Sequence, residues 1–493
     1  MRRVFFRELK PYALADVATT LDCDIADALN AIERLMLRGI VRFRNPDAQD
    51  GANDIDEESA RADELYQFRF VGLVALGDWA IVVYPKYFRK RMPSEDELRQ
   101  ILQVIRRCEN WSSVAKLVDN GEHSSDRLPV LLALLDLYAE YGAYSNYVEG
   151  YELNGSGVIE WDRTIGRHLP VLADGAPIYI DFETRKTLRD ESDFITRLHR
   201  AVLTECSREL DETGLGSLLS VEEVLISEED VDGFGDAELL AARLERERAI
   251  QYVDWKIAVL ELLERYLLGR ESAVEREDIR TIGTTSFYHV WEESCKVAFD
   301  DLLDVRLRDL DIPLVERWCK RGSETMLQIV PRPKWERART GGGFAECGKT
   351  DTLIPDTVAF REGVDGSRTF CIFDAKYYVP SLRGRMVGQP GLESVTKQFL
   401  YQGAYRDFVL DHGFERVVNA FLIPNSDSKL CRIARVSFPE VIGLAEAPFS
   451  NYVDMWAIPA SEVFAAYLDN FGLETAIAAM IAPEPNTAVG PPA

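Results

Sequence analysis

The 493-residue chain is poor in the residues that build the commonest metal and redox sites. It has five histidines (His123, His168, His199, His289, His412), dispersed along its length. Its eight cysteines (Cys23, Cys108, Cys206, Cys295, Cys319, Cys347, Cys371, Cys431) include no CxxC pair. This pattern speaks against a disulfide frame and a Cys/His zinc site, and for reduced thiols. Any metal would have to sit on carboxylates. Long hydrophobic runs are also missing. No window reaches the roughly 18 uninterrupted apolar residues that a membrane helix needs, and the start, Met1-Arg2-Arg3-Val4-Phe5-Phe6-Arg7-Glu8, lacks an apolar core of signal-peptide length. The expectation is a cytoplasmic protein without a membrane partner. Positive charge is short as well: 57 Lys and Arg face 83 Asp and Glu, for a formal net charge of −26. Such a chain repels nucleic acid on average. DNA contact would need local basic patches, and two exist: Lys86 to Arg91, and Arg332 to Arg339. Either run, taken alone, reads as a solvated surface.

What is present is an ordinary globular composition, 46% apolar and 28% charged, long enough for about three domains. The expected fold class is mixed α+β and multi-domain. Residues 1–110 read as a winged-helix-like and β-hairpin module. Leu14, Val17 and Leu21 share a helical face, Ile25 to Met36 repeat that spacing, and Ile40 to Phe43 reads as a strand. Acidic Asp24, Asp27 and Glu33 on the second helix argue against DNA reading there. An acidic, presumed mobile loop follows at 46–64. Strands are expected over Gln67–Leu76 and Trp79–Tyr84, split by the turn dipeptide Gly77-Asp78. Residues 111–272 read as mostly helical, with an interruption at Gly155–Ile180 and one long helix over Ala237–Leu268. Residues 273–482 turn to α/β texture. Helices are expected at Ser286–Leu303 and Leu392–Leu410. Strands are expected at Met326–Val330, Ile354–Phe360, Thr369–Tyr378, Val417–Ile423 and Ile433–Phe438. The tail at 483–493 is Pro/Ala/Gly-rich and reads as disordered.

Two motifs compete in the last region. Gly343 to Thr350 satisfies the phosphate-binding pattern GxxxxGK[ST]. Its physics requires a buried strand before it and a helix starting at Lys349-Thr350, whose N-terminus holds the phosphate. The preceding residues are basic and polar, and Pro355 follows too soon for a normal helix. The second motif is Ile354-Pro355-Asp356 followed by Cys371-Ile372-Phe373-Asp374-Ala375-Lys376, the PD…(D/E)xK pattern of a large nuclease superfamily. The tripeptide also occurs at Glu8-Leu9-Lys10, Asp254-Trp255-Lys256 and Asp427-Ser428-Lys429. Only Asp374 both ends an apolar run and has a second carboxylate on the preceding strand.

That arrangement has a chemical use. Two strands joined around Arg361–Arg368 would bring Asp356 and Asp374 together, and paired carboxylates suit Mg²⁺. The metal would lower the pKa of a bound water and stabilise charge on a phosphodiester. Lys376, two residues on, shares the face of Asp374 and could orient the water or neutralise charge. Glu292, on an expected helix upstream, could reach the metal, and Gln398, on the helix downstream, could support the site. Glu292 is equally a surface carboxylate, with Glu293 competing beside it, and Gln398 taken alone reads as an ordinary polar helix position.

These residues resemble the LlaJI-type restriction endonucleases, a branch of the PD-(D/E)xK nucleases. The carriers are Phe287 to Glu292, Pro355-Asp356, Asp374-Ala375-Lys376 and Lys397-Gln398. Further upstream, Phe70-Val71-Gly72 with Tyr84-Pro85-Lys86-Tyr87 looks like the VG…PKY hairpin of LlaJI-type and McrC-like proteins. Gly157 to Thr164 is similar to their GxIxWxxT segment. The resemblance implies Mg²⁺-dependent cleavage of double-stranded DNA in an anti-phage restriction system, with Mn²⁺ able to substitute. It also implies an AAA+ GTPase partner that carries much of the DNA affinity of so acidic a chain. Arg332, Lys334, Arg337, Arg339, Arg383 and Arg385 are the candidate DNA contacts. Cutting both strands suggests two active sites, and a homodimer is one way to supply them. The alternative is a non-catalytic McrC-like adapter that activates a partner GTPase. The acidic second helix argues against a winged-helix regulator, while a repair nuclease or exonuclease would share the same metal site.

Overall fold

The computed structural model describes residues 2–44, 65–119, 127–212, 216, 219, 221–273, 279–340, 342–349, 352–363, 366–381, 387–442 and 446–482. The acidic stretch at 46–64 and the tail at 483–493 fall outside them. The chain divides into two compact units: Ser113–Thr281, and Arg2–Ser112 together with Ile282–Ala493. The expected modules 1–110 and 273–482 therefore form one body, for a reason visible in its core, described below.

The N-terminal part begins with β1 (Arg2–Arg7) and β2 (Pro11–Ala13). Helices Leu14–Leu21 and Ile25–Leu37 follow, then β3 (Val41–Arg44) and β4 (Leu65–Phe68). Asp24 caps the second helix by accepting from the Asp27 amide at 2.8 Å, as short acidic residues do at helix starts. Strands β2, β4 and β3 make a small sheet. The apolar run from Gln67 to Leu76 is not one strand: it breaks after Phe68 and resumes as β5 (Val71–Leu76) in a different sheet. There β5 pairs with β6 (Trp79–Tyr84) through a two-residue loop, Leu76 opposite Trp79. Gly77 supplies the positive φ of 55° this turn needs.

Helix Glu95–Asp119 leads into the other unit, where helices Arg127–Tyr141, Phe194–Glu212, Ala237–Arg248 and Asp254–Ala273 supply most of the core. The long helix expected over Ala237–Leu268 is in fact two. Gln251 accepts from the amides of Tyr252 and Val253 at 3.1 and 3.2 Å, and such local bonds replace the helical ladder. Asp254 consequently starts a helix instead of lying inside one. Between the first two of these helices run β7 (Tyr147–Leu153), β8 (Val158–Ile159), a helix at Trp161–Arg167, β9 (Val171–Ala173), β10 (Ala176–Ile178) and β11 (Glu183–Arg189). This segment leaves Tyr147, Trp161, Leu169, Leu172 and Ile180 exposed, Leu169 by 95%.

The chain returns through β12 (Ile279–Thr284), which lies beside β5 in the order β1-β6-β5-β12. Helix Phe287–Ala298 follows. It stops short of Leu303 because Asp300 adopts a left-handed φ of 52°. Met326–Val330 is a series of turns, not a strand: Ile329 N bonds Thr325 O at 3.2 Å and Val330 N bonds Leu327 O at 3.3 Å. Its apolar residues are buried all the same, which is why the run resembled a strand. Then come β13 (Lys334–Ala338), β14 (Phe344–Lys349), β15 (Thr357–Glu362) and β16 (Arg368–Ala375). The helical stretch after 391 breaks at Tyr405 into Leu392–Ala404 and Arg406–Asp411. Strands β17 (Arg416–Asn425), β18 (Cys431–Val436) and β19 (Val453–Pro459) and helices Ala460–Asp469 and Glu474–Ile481 complete the chain.

The central sheet has the order β15-β16-β17-β19-β18, with β16, β17 and β19 parallel and the two edges antiparallel. Buried on both faces, β16 shows a period of two. Cys371, Phe373 and Ala375 face a core containing Phe287, Trp291 and Phe464. Phe370 and Ile372 face one containing Tyr401, Tyr405 and Phe408. The first of these cores also takes in Val71, Tyr87, Phe88, Ile101 and Val104. The N-terminal hairpin and helix thus cover one face of the sheet, and this joins the two expected modules.

Where β5 meets β12, Gly72 and Gly283 lie back to back. A Cβ on Gly72 (φ 143°) would stand 2.1 Å from Ile282 O, and one on Gly283 would stand 2.2 Å from Val71 O. Both contacts are with backbone and cannot yield cheaply. Gly72→Ala is expected to destabilise the chain by more than ~2 kcal/mol, read as a lower denaturant midpoint, whereas Gly77, whose Cβ would meet open space, should cost far less when replaced by Asn.

Candidate active site

The antiparallel register of β15 and β16 pairs Thr357 with Phe373, so Asp356 stands next to Asp374. The contact is direct: the amide of Ala375 donates to Asp356 Oδ2 at 2.9 Å. By alternation Asp374 shares the face of Ile372 and Phe370, toward helix Leu392–Ala404. It is 5% exposed. Lys376 closes the group. Its ammonium is ion-paired with Asp374 and lies 3.9 Å from Asp356 Oδ2, while its own amide bonds Leu422 O at 2.9 Å.

The electrostatics follow from burial. Desolvation raises the Asp374 carboxyl above its ordinary range, the charge of Asp356 raises it further, and Lys376 only partly offsets both. For Lys376, burial disfavours the ammonium, but Asp374 and Asp356 outweigh it and the pKa rises. The lysine is therefore held charged between two carboxylates.

Glu292 projects from helix Phe287–Ala298. Burial raises its pKa, as does the charge of Asp356, while His289, 3.2 Å away through Nδ1, lowers it. Its neighbour Glu293 instead pairs with Lys296 at 2.5 Å. Of the two adjacent acids, Glu292 is the one that senses the Asp356–Lys376 group. Gln398 is fully buried. Its carbonyl accepts from Asn419 Nδ2 at 3.0 Å, and neither polar atom of its side-chain amide has a partner among the described residues. Arg332, Lys334, Arg337 and Arg339 are exposed, on or beside β13. Arg383 and Arg385 lie outside the described residues. The rival phosphate-loop pattern loses its basis, because Phe344–Lys349 is a strand paired antiparallel to β13 and not a loop opening a helix.

Several supporting residues have no signature in the sequence. Tyr401, one helical turn beyond Gln398, donates to Ile354 O at 2.9 Å and steadies the chain entering Asp356. Trp291 Nε1 donates to Leu422 O at 3.1 Å, the carbonyl that also receives the Lys376 amide. Asp301 accepts from the Val358 amide at 2.9 Å, and burial raises its carboxyl to about 6. Glu8, one of the unused D/E-x-K matches, is buried and accepts from the Tyr377 hydroxyl and, at 3.1 Å, from the Lys86 amide. The Lys86 ammonium lies 4.7 Å from the centre of the Tyr377 ring. Residues from the N-terminal part thereby grip the position next to Lys376. Adjacency to Lys376 was the one available clue to Tyr377, and nothing local marks Glu8.

Chemically, Asp356 and Asp374 offer oxygen donors and a double negative charge, the donor set of a hard divalent cation. Among the described residues no three His, Cys, Asp or Glu side chains converge as a metal-holding group. The pair therefore fits in kind, supplying two ligands with solvent or substrate oxygens to complete the shell, and Glu292 stands as a third acid that feels its charge.

The model of a family described as LlaJI restriction endonuclease matches residues 70–438. The chain is 26% identical over 419 residues to the type II restriction enzyme BsuMI component YdjA of Bacillus subtilis (strain 168), covering 82% of this chain and 81% of that protein. Among solved structures, it matches a half-complex of Thermococcus gammatolerans McrB AAA+ hexamers with bound McrC. That match has a TM-score of 0.34 and 16% identity, over 95% of this chain and 100% of the other. The cryo-EM structure of the Thermococcus gammatolerans McrBC complex matches at a TM-score of 0.22 and 15% identity, over 56% and 89%.

Two measurements check the site's construction. The Asp374 carboxyl rises from 3.8 to about 7 on folding, so the folded chain holds its proton more tightly than the unfolded one. The stability this lends is complete below about pH 4 and is lost as pH rises through about 7. Thermal unfolding of the metal-free chain should show that loss, and Asp374→Asn should flatten it; parallel curves would contradict the assignment. Tyr377→Phe removes one donor from the buried Glu8 carboxylate and should cost ~1–3 kcal/mol in urea unfolding.

Proposed function

Because the chain belongs to the LlaJI restriction endonuclease family, we propose that it hydrolyses phosphodiester bonds of double-stranded DNA at the Asp356–Asp374–Lys376 group, with Mg²⁺. The observation that carries this reading is a carboxylate pair, Asp374 buried and Asp356 half-buried, closed by one lysine. Two like charges in a desolvated site raise each other's energy, and a structure that keeps them there stores affinity for a cation.

Asp356 and Asp374 would hold the metal, with Glu292 contributing a third carboxylate. Mg²⁺ supplies, when bound, a more acidic water and stabilisation of charge on the phosphodiester. Lys376 keeps a fixed positive charge beside the reacting phosphate, where negative charge develops. Gln398 lends a buried amide with both polar atoms free to orient a water or Lys376. The exposed cations Arg332, Lys334, Arg337 and Arg339 supply DNA contacts that the net charge of −26 otherwise disfavours.

An AAA+ GTPase partner is part of the proposal. Its support is the Tyr147–Arg189 segment, whose exposed Tyr147, Trp161, Leu169, Leu172 and Ile180 present apolar surface of the kind that marks interaction sites. The segment contains Gly157–Thr164, which is similar to McrC-like proteins, and the Bacillus subtilis relative is itself named as a component of a restriction enzyme.

The test is plasmid cleavage in Mg²⁺ and in Mn²⁺, with and without a co-expressed AAA+ subunit and GTP. Wild type should cut, Asp374→Ala should abolish cutting, and Lys376→Ala should slow it by at least ~10²-fold. Full cutting by an assembly carrying Asp374→Ala would overturn the nuclease reading. Absence of any cutting, with GTP hydrolysis still stimulated, would leave the adapter reading in its place.

A further inference from the structure

The ribbon formed by β13 and β14 has no structural task in either core. All five residues of β13 are exposed, and none of the described side chains of either strand joins the clusters that flank the central sheet. Trp335 is 64% exposed and Phe344 66%. A two-stranded hairpin is marginally stable by itself in water, and large exposed aromatics on it point to a partner.

Its faces differ in charge. Arg337 stands opposite Ala345, and Arg339 remains paired through its amide to Gly343 O at 3.0 Å. The register shifts between Lys334 and Glu336, with the extra residue on β14; along β13 itself alternation puts Trp335, Arg337 and, one residue past the strand's end, Arg339 on one face. Glu336 stands opposite Glu346 and belongs to the other face. Like charges directly opposed across a ladder are unfavourable, and turning both glutamates away leaves the first face purely basic. Arg332, Lys334, Arg337 and Arg339 enter no ion pair among the described residues, whereas Arg317, Arg361 and Arg435 are each paired with acids. In a chain this acidic, a row of unpaired arginines is complementary to a polyanion.

The ribbon's position links it to the active site. Its two feet are tied together where Thr352 Oγ1 donates to Pro331 O at 2.7 Å. From Lys349, the end of β14, the chain reaches Asp356 within at most ~25 Å. A two-stranded ribbon is one of the elements the major groove of B-DNA admits, and arginine there pairs bidentately with guanine O6 and N7.

Resting on the endonuclease reading above, we infer that the β13–β14 ribbon reads DNA sequence, entering the major groove with its Trp335–Arg337–Arg339 face toward the bases and with Arg337 and Arg339 selecting guanine. Lys334 and Arg332, nearer the feet, contact phosphates. The partner is double-stranded DNA; phosphate contact alone, or a protein partner, is what the test must separate.

The test uses the full chain carrying Asp374→Ala, alone and assembled with its partner, and selects bound duplexes from a random-sequence pool. The parent should enrich a site containing guanine. Added Arg337→Ala or Arg339→Ala should each erase the preference at a guanine, weakening binding to the selected site by about 5- to 150-fold with the salt dependence unchanged. Glu336→Ala should alter the preference at no position. Equal loss on every duplex with a shallower salt slope would reassign these arginines to phosphate contacts and overturn the inference. So would unchanged binding, or a parent that enriches no sequence. Plasmid cutting by wild type, measured in parallel, tells the two proposals apart. An enriched guanine site lost with the arginines, but no cutting, would sink the nuclease reading alone. Cutting at unchanged positions by the arginine variants would sink the ribbon reading alone.

Discussion

Two carboxylates cannot be brought together out of water without a compensating charge, and the central sheet is arranged around that constraint. Asp356 and Asp374 meet at the end of an antiparallel pair, and Lys376 supplies the one positive charge between them. The strand that carries Asp374 is buried on both faces, and the residue is 5% exposed. Its raised pKa is the measure of that confinement, with burial the larger cause and Asp356 the second.

Holding such a site requires rigid surroundings, and they come from distant parts of the chain. Helix Phe287–Ala298 packs Trp291 on one face of the sheet and ties its indole to Leu422 O, which also receives the Lys376 amide. Helix Leu392–Ala404 packs the other face and sends Tyr401 to the segment before Asp356. The N-terminal hairpin completes the enclosure. Glu8 and Lys86 hold Tyr377, the residue after Lys376, and Tyr87 and Phe88 enter the same core as Phe373 and Ala375. The Pro85-Lys86-Tyr87 turn thus acts as a strut of the strand that carries Asp374, and the tight Gly72–Gly283 contact lets β12 lie close to β5.

Much of this was legible locally. The apolar run ending at Asp374, the turn at Gly77-Asp78 and the helical spacing of Ile25–Met36 are signals carried by neighbouring residues, and the structure shows the corresponding strand, hairpin and helix. Less legible were the places where apolar content and backbone geometry part company. Met326–Val330 is buried but built of turns, and Ala237–Leu268 keeps an apolar stripe across a break made by the Gln251 side chain. Periodicity reports burial, and it reports a continuous ladder only when nothing local competes for the backbone bonds.

The sequence by itself determined the chemistry on offer: carboxylates and lysine at a strand end, no Cys or His cluster, a deficit of positive charge, and two basic runs. It also distinguished the Asp374 tripeptide from three others of the same pattern, because an apolar run and a preceding carboxylate are local properties. Only the tertiary structure decided that residues 2–112 belong to the same body as the sheet, that Glu292 and not Glu293 turns toward the carboxylates, and that Gly343–Lys349 is half of a projecting ribbon. Each of these rests on contacts between segments far apart in the chain, Glu8 and Tyr377 being 369 positions from one another. A contact of that kind leaves no period and no spacing to read, since only the packing of the assembled core selects it.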